Sequence, residues 1–158
     1  MKPLTREEIQ TAEREWYHFD YVPYSSVAME RKELLPFFNE LKEHEVLEIG
    51  PGNNPINKHF PCKKYSAALG YYPHDGLSLL RKKPSASAVV VSFGVIDDSI
   101  LGKKEINKRY IDELVKEIRR VMNPFSIIFG TDAEKYLGKP DVLAIELRPD
   151  VGEVYHPK

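Results

Sequence analysis

A chain of 158 residues has the length of one domain and can bury a core without disulfide or metal staples. Lys plus Arg number 23 and Asp plus Glu 24, a formal charge of −1, so no global field selects nucleic acid or a membrane surface as partner. The single cysteine, Cys62, excludes an internal disulfide framework and argues against a cysteine-based zinc site, and no apolar run reaches the length that spans a bilayer.

The opening MKPLTREEIQ is charged and lacks the apolar run of a signal peptide, which makes a cytoplasmic protein the expectation. Thr5 followed three residues later by Glu8 is a capping-box signature. It predicts a helix with Ile9, Ala12 and Trp16 on one face. The aromatic stretch Trp16 to Tyr24 reads as a loop or irregular arm, either packing for that helix or a lid over a pocket. A second helical stretch begins near Val27. Leu34, Phe38 and Leu41 keep helical spacing, and Pro36 kinks or restarts the helix. Residues 1–44 thus form an N-terminal helical segment ahead of an α/β core at 45–158, in a single domain.

From Val46 the period changes. Val46 to Ile49 reads as a short strand ended by Gly50, and Tyr65 to Leu69 as a second ended by Gly70. Asp75 to Lys83 is short and helical. Ala88 to Phe93 is a continuous apolar run, which suits a strand buried on both faces of a parallel sheet. Ile106 to Met122 carries the clearest helical pattern, with Ile111, Leu114, Ile118 and Val121 on one face, and Asn123-Pro124 stops it. FSIIFG is a further strand. VLAIELRPDVGEVYH reads as two strands about a Pro-Asp turn. Strands alternating with helices predict an α/β layered fold: a Rossmann-like, mostly parallel sheet with flanking helices and a C-terminal antiparallel hairpin.

The segment VLEIGPGNNP concentrates the chemistry. Gly50 and Gly52 permit backbone angles that other residues resist and let a ligand approach the main chain. A helix starting near Asn54 to Ile56, with Pro55 in its first turn, points its free N–H groups at the same place. Glu48 stands out in an apolar strand. Its carboxylate either reaches out at the strand's end or costs dearly if left dry and unpaired. The dinucleotide fingerprint needs a third glycine where Pro55 stands, and a phosphate-cradling G-x-x-x-x-G-K-[ST] loop is absent. By itself the turn is equally a tight strand-to-helix connection without a ligand.

Three segments, in order and at the required spacing, resemble the class I S-adenosylmethionine-dependent methyltransferases. VLEIGPGNNP resembles the family's first motif, an acidic strand residue followed by G-x-G. AVVVSFGVID resembles its fourth strand and the loop beyond. YIDELVKEIRRVMNPFSIIFG resembles its helix and fifth strand, with Arg120 to Phe125 in the place of R-V-L-K-P-G-G. The resemblance covers about Glu45 to Gly130, and the C-terminal hairpin resembles the family's last two strands. It implies a pocket for S-adenosylmethionine. Glu48, Gly50, Pro51, Gly52 and Asn53 would shape the methionine end, and Ser92 and Phe93 would lie beside the sulfonium. Asp97, Asp98, His59 and His74 are candidates for a base by location only, and solvated loop residues are the commoner outcome.

Two departures accompany the resemblance. Where the family ends its second strand in an acid that holds the ribose, this chain has Leu69-Gly70-Tyr71-Tyr72. Tyr72 would offer a hydroxyl or stack on adenine, and Asp75, three residues on, would substitute for the acid. Only Gly70 to Ser87 separates the second strand from the apolar run, which leaves room for one helix and little for the family's third, edge strand with a helix of its own. The resemblance therefore implies a trimmed methyltransferase-like domain acting on a small-molecule or protein acceptor that the sequence does not name. A non-catalytic interaction or regulatory module of the same fold is the alternative, and a nucleotide-binding oxidoreductase suffers from Pro55.

Overall fold

Thr5 and Glu8 close the expected capping box, each backbone N–H donating to the other's side chain at 3.1 and 3.2 Å. The helix that follows, α1, spans Arg6–Arg14 and buries Ile9 and Ala12. In this computed structural model the described residues are 2–14, 32–51, 55–68, 70–83, 87–91, 95–96, 104–129, 133–145 and 151–157. Trp16 and the aromatic arm to Tyr24 lie outside them. The second helix, α2, spans Leu35–Glu40 with Pro36 in its first turn, where a missing N–H costs nothing, and a 3-10 turn continues it over Leu41–Glu43.

The remaining elements follow in chain order as β1 (Glu45–Ile49), a 3-10 turn (Ile56–Lys58), β2 (Lys64–Ala68), α3 (Gly76–Arg81), β3 (Ser87–Val91), α4 (Glu105–Val121), β4 (Met122–Phe129), α5 (Ala133–Leu137), β5 (Val142–Ile145) and β6 (Val151–Tyr155). They form one six-stranded sheet in the order β2-β1-β3-β4-β6-β5. β2, β1, β3 and β4 are mutually parallel; β6 runs antiparallel to both β4 and β5. This is an α/β Rossmann-like fold closed by a C-terminal antiparallel pair. Among the described residues nothing pairs with β2 on its outer side, where a further edge strand would lie.

Side chains alternate across the strands and sort the core into two layers. Leu47, Ile49, Val89, Val91 and Ile128 face α1, α3, α4 and α5, whose Ile9, Leu77, Ile111 and Leu137 cover them. Val46, Val90, Ile127 and Phe129 face the thinner second layer, made by Leu34, Phe38, Leu41 and Ile56. α4 supplies the long apolar stripe that the sequence predicts, with Ile111, Leu114, Ile118 and Val121 all buried.

One boundary and one element differ from expectation. β4 begins at Met122 and runs through Asn123-Pro124, which stop the helix without delaying the strand. Between the pairs Ser87–Met122 and Val89–Ser126, β4 carries two more residues than β3. Pro124 has no N–H to give to a ladder, and it sits in that irregularity, where none is asked of it. α5 is an element the sequence reading omits. Gly138 follows it at φ 82, with its N–H bonded to Glu134 O at 2.9 Å, a left-handed helix stop followed by Pro140.

Gly76 fixes how closely α3 approaches the sheet. A Cβ there would lie 2.7 Å from Ile49 Cγ2 and 3.3 Å from Leu114 Cδ1. Both neighbours are buried, and Ile49 is β-branched and stiff. Gly76→Ala is expected to destabilise by about 1–3 kcal/mol through overpacking, which outweighs a helix-propensity gain of at most about 1 kcal/mol. Urea denaturation reads the change; an unchanged or raised midpoint would contradict this packing.

Candidate functional site

In an open α/β sheet the ligand crevice lies beyond the carboxyl ends of the strands, at the point where the chain order reverses. Here that point is β1, which has β2 on one side and β3 on the other. β1 and β3 finish in register, Ile49 opposite Val91. The chain leaves β1 through Gly50, whose N–H still reaches Ala68 O of β2 at 3.0 Å while its φ is 70. A left-handed backbone costs an ordinary residue about 1–2 kcal/mol, so this position requires glycine. Pro51 follows, buried. Gly52, Asn53, Ser92, Phe93, Asp97 and Asp98 lie outside the described residues. Gly50 and Pro51 are thus placed at the switch point as the sequence reading expects.

Glu48 does not reach out of the strand. It is fully buried on the second-layer face, and its Oε1 accepts from Ile56 N–H at 2.9 Å and from the Tyr65 hydroxyl. The helix expected near Asn54 to Ile56 is a single 3-10 turn, Ile56–Lys58, with Pro55 extended in front of it. Its leading N–H is spent on Glu48 rather than offered to a ligand. The physical reason is local: a carboxylate in a dry strand must be satisfied, and the turn after β1 supplies the nearest donor. Glu48 therefore shapes the loop from beneath.

At the end of β2 the arrangement also departs from the sequence reading. Tyr72 packs against the first-layer core, and the Arg6 guanidinium lies 5.5 Å from its ring centroid. Its backbone N–H donates to Glu13 Oε1 at 2.6 Å. Asp75, also considered for that place, is buried and caps α3: its Oδ2 accepts from Ser78 N–H at 3.2 Å and from the Tyr110 hydroxyl at 2.7 Å. The Tyr110 hydroxyl also accepts from Leu77 N–H at 3.3 Å. Burial, then the charge of Asp75, pushes the Tyr110 phenol well above its ordinary range, so it acts as a neutral donor.

Glu13, Asn107 and Tyr110 escaped the sequence reading, yet a signal was present. Glu13 sits with Ile9 and Ala12 on the stripe of α1 that the fold buries, and Asn107 precedes Tyr110, Ile111 and Leu114 on that of α4. A polar residue on an apolar stripe needs a partner. The histidine candidates are not drawn into the site: His59 and His74 are both exposed. Cys62 donates its thiol to Phe60 O, and burial, with Glu48 adding, raises its pKa, which leaves it a poor nucleophile.

A separate groove of about 500 Å³ is lined by Arg81, Arg109, Asp112, Glu113, Lys116 and Glu117. Its cations are partly spent on structure, Arg81 on Glu113 at 2.6 Å and Arg109 on Glu8 at 2.7 Å. Among the described residues no group of three or more His, Cys, Asp or Glu has a metal-holding arrangement, and no helix is long and apolar enough to cross a membrane. Comparison with protein-family models, with curated proteins and with solved structures finds no match to this chain.

Proposed function

We propose that the chain is a small S-adenosylmethionine-binding domain of the methyltransferase type, acting on a small-molecule or protein acceptor. One observation carries the reading: β1 ends in a left-handed, side-chain-free Gly50 at the switch point of a parallel sheet, in register with the end of β3. The mostly parallel sheet, the terminal antiparallel pair and the bare outer side of β2 agree with a trimmed member of that family. Gly50 and Pro51, continuing into Gly52 and Asn53, would hold the methionine end of the cofactor, and Ser92 and Phe93 would lie beside its sulfonium. The bound cofactor supplies an already activated methyl group. The protein's part is to align it with the acceptor's nucleophile and keep water away.

A non-catalytic module of the same fold is the second reading, and a specific observation favours it. The carboxyl end of β2 is served from within the chain, by Glu13 on Tyr72 N–H and by Arg6 over the Tyr72 ring. A nucleoside there must share the place with α1 or displace it.

Titration calorimetry with S-adenosylmethionine and S-adenosylhomocysteine separates the two. Submillimolar binding is expected, and Gly52→Val is expected to abolish it in a protein that still folds. A folded wild-type sample that binds neither ligand supports the module. A Gly52→Val variant that merely unfolds removes the cofactor argument for that glycine.

A further inference from the structure

Glu13, in the last turn of α1, is 8 % exposed. Among the described residues its one side-chain hydrogen bond is the one it accepts from Tyr72 N–H at 2.6 Å. A carboxylate has room for about four such bonds, and one buried this far is costly unless donors answer it. The arginines of α1, α3 and α4 are committed elsewhere: Arg6 lies over the Tyr72 ring, Arg81 holds Glu113 and Arg109 holds Glu8. Asp75 Oδ1 and Asn107 Oδ1, buried on the same side of the sheet, also lack a donor. Burial, opposed by the Tyr72 N–H and aided by the Asp75 charge, holds the Glu13 pKa above its ordinary value. This edge is rich in acceptors and short of donors.

The edge adjoins the switch point. Gly50 N–H bonds Ala68 O at the end of β2, and the turn from Gly70 to Asp75 leads back to the end of β1, where Gly76 packs on Ile49. Tyr72 lies on that turn, so the Glu13 carboxyl stands on the first-layer side of the crevice. α1 is held there firmly. Asn107 Nδ2 donates to Ala12 O at 3.1 Å, Leu4 N–H donates to Glu113 Oε1 at 2.7 Å, and Ile9 and Ala12 are fully buried. A ligand at this end of the crevice therefore shares the place with Glu13 instead of displacing it.

We propose that Glu13 is a ligand-binding residue whose carboxylate accepts the adjacent hydroxyls of a ribose, so that the crevice selects ribonucleosides over their deoxy forms. The inference rests on the reading of the site as a nucleoside crevice, with the methionine end at Gly50 to Asn53 and the nucleoside end toward Tyr72. Glu13 itself lies outside the segments that carry the methyltransferase resemblance. Hydroxyls bring donors, which this edge lacks, and a carboxylate suits a sugar hydroxyl at the carboxyl end of a parallel strand. A phosphate would bring more acceptors and more negative charge beside Glu13 and Asp75, and is disfavoured. The Tyr72 N–H, bonded to Oε1, fixes the carboxyl at the turn and leaves it capacity for further donors.

Titration calorimetry of the full chain with S-adenosylhomocysteine and with its 2′-deoxy and 3′-deoxy analogues tests it. In the wild type, loss of either hydroxyl is expected to weaken binding by about tenfold to a hundredfold, the worth of a hydrogen bond to a charged group. Glu13→Gln keeps an acceptor for Tyr72 N–H, and circular dichroism checks that it folds. In that variant the parent should weaken and the three ligands should bind nearly alike. A wild type that binds the deoxy analogues as tightly as the parent overturns the inference and leaves the cofactor reading standing; that comparison needs no substitution. A folded Glu13→Gln protein that discriminates as the wild type does has the same consequence. A folded wild type that binds none of the three removes the cofactor reading, and this inference with it.

Discussion

Glu48→Ala is expected to destabilise the protein by about 1–4 kcal/mol, because it takes the acceptor from a buried N–H, at about 1–3 kcal/mol, and from a part-buried hydroxyl, at less. The donors are Ile56 N–H and the Tyr65 hydroxyl, both now on Glu48 Oε1. Leucine in the same place fills the volume and still strands them, so Glu48→Leu should fall near alanine. Glu48→Gln keeps a carbonyl oxygen and should lose least. Denaturant unfolding ranks the three. A Glu48→Ala protein within about 0.5 kcal/mol of wild type, the range of a neutral surface change, would mean that the carboxylate does not hold the turn after β1.

The second large effect concerns Asp75→Ala. The substitution removes the side-chain cap of α3, worth about 0.5–2 kcal/mol, and leaves the buried Tyr110 hydroxyl without its acceptor, about 1–3 kcal/mol more. A partial return comes from relieving the orphaned Oδ1 and the repulsion with Glu13, so the net loss expected is about 1–4 kcal/mol. Asp75→Asn keeps an acceptor and should cost less. A double-mutant cycle with Tyr110→Phe isolates the shared hydrogen bond, and a coupling of about 1–2 kcal/mol is expected. Additivity of the two changes would contradict the Tyr110–Asp75 contact at the core of this edge.

Both residues show where sequence reasoning succeeds and where it stops. The layered sheet was legible because period and burial speak together: Val89 to Val91 is apolar throughout since both its faces are covered, and Ile111, Leu114 and Ile118 repeat at helical spacing since one face is. The turn at Gly50 was legible because few residues accept a φ of 70. Glu48 was legible as an anomaly, though not in its solution, because the donors that answer it lie 8 and 17 residues away. Glu13 and Tyr72 are 59 residues apart. Pairing at that separation depends on the docking of α1 against α4, which no local pattern records. The omission of α5 is different: Gly138 and Pro140 mark its end, but a helix of five residues has too few turns to show a period.

These elements converge on one edge. Glu48 holds the turn after β1 from the second layer, while Asp75, Tyr110 and Glu13 fix the turn after β2 from the first. Between them half-buried Gly50 stands beside the end of β3, and in our reading a sulfonium nucleoside approaches the chain there.

The most direct measurement is an amide-resolved NMR titration of the isotopically labelled protein with S-adenosylhomocysteine. The account predicts saturable shifts that begin at Ile49 and Gly50, extend to Val91, and reach Tyr72 and Leu77 on the other side of β1. Saturable shifts centred instead on Arg119, Leu137 and Tyr155, at the opposite end of the sheet, would contradict it, and so would a folded protein whose spectrum does not move at millimolar ligand.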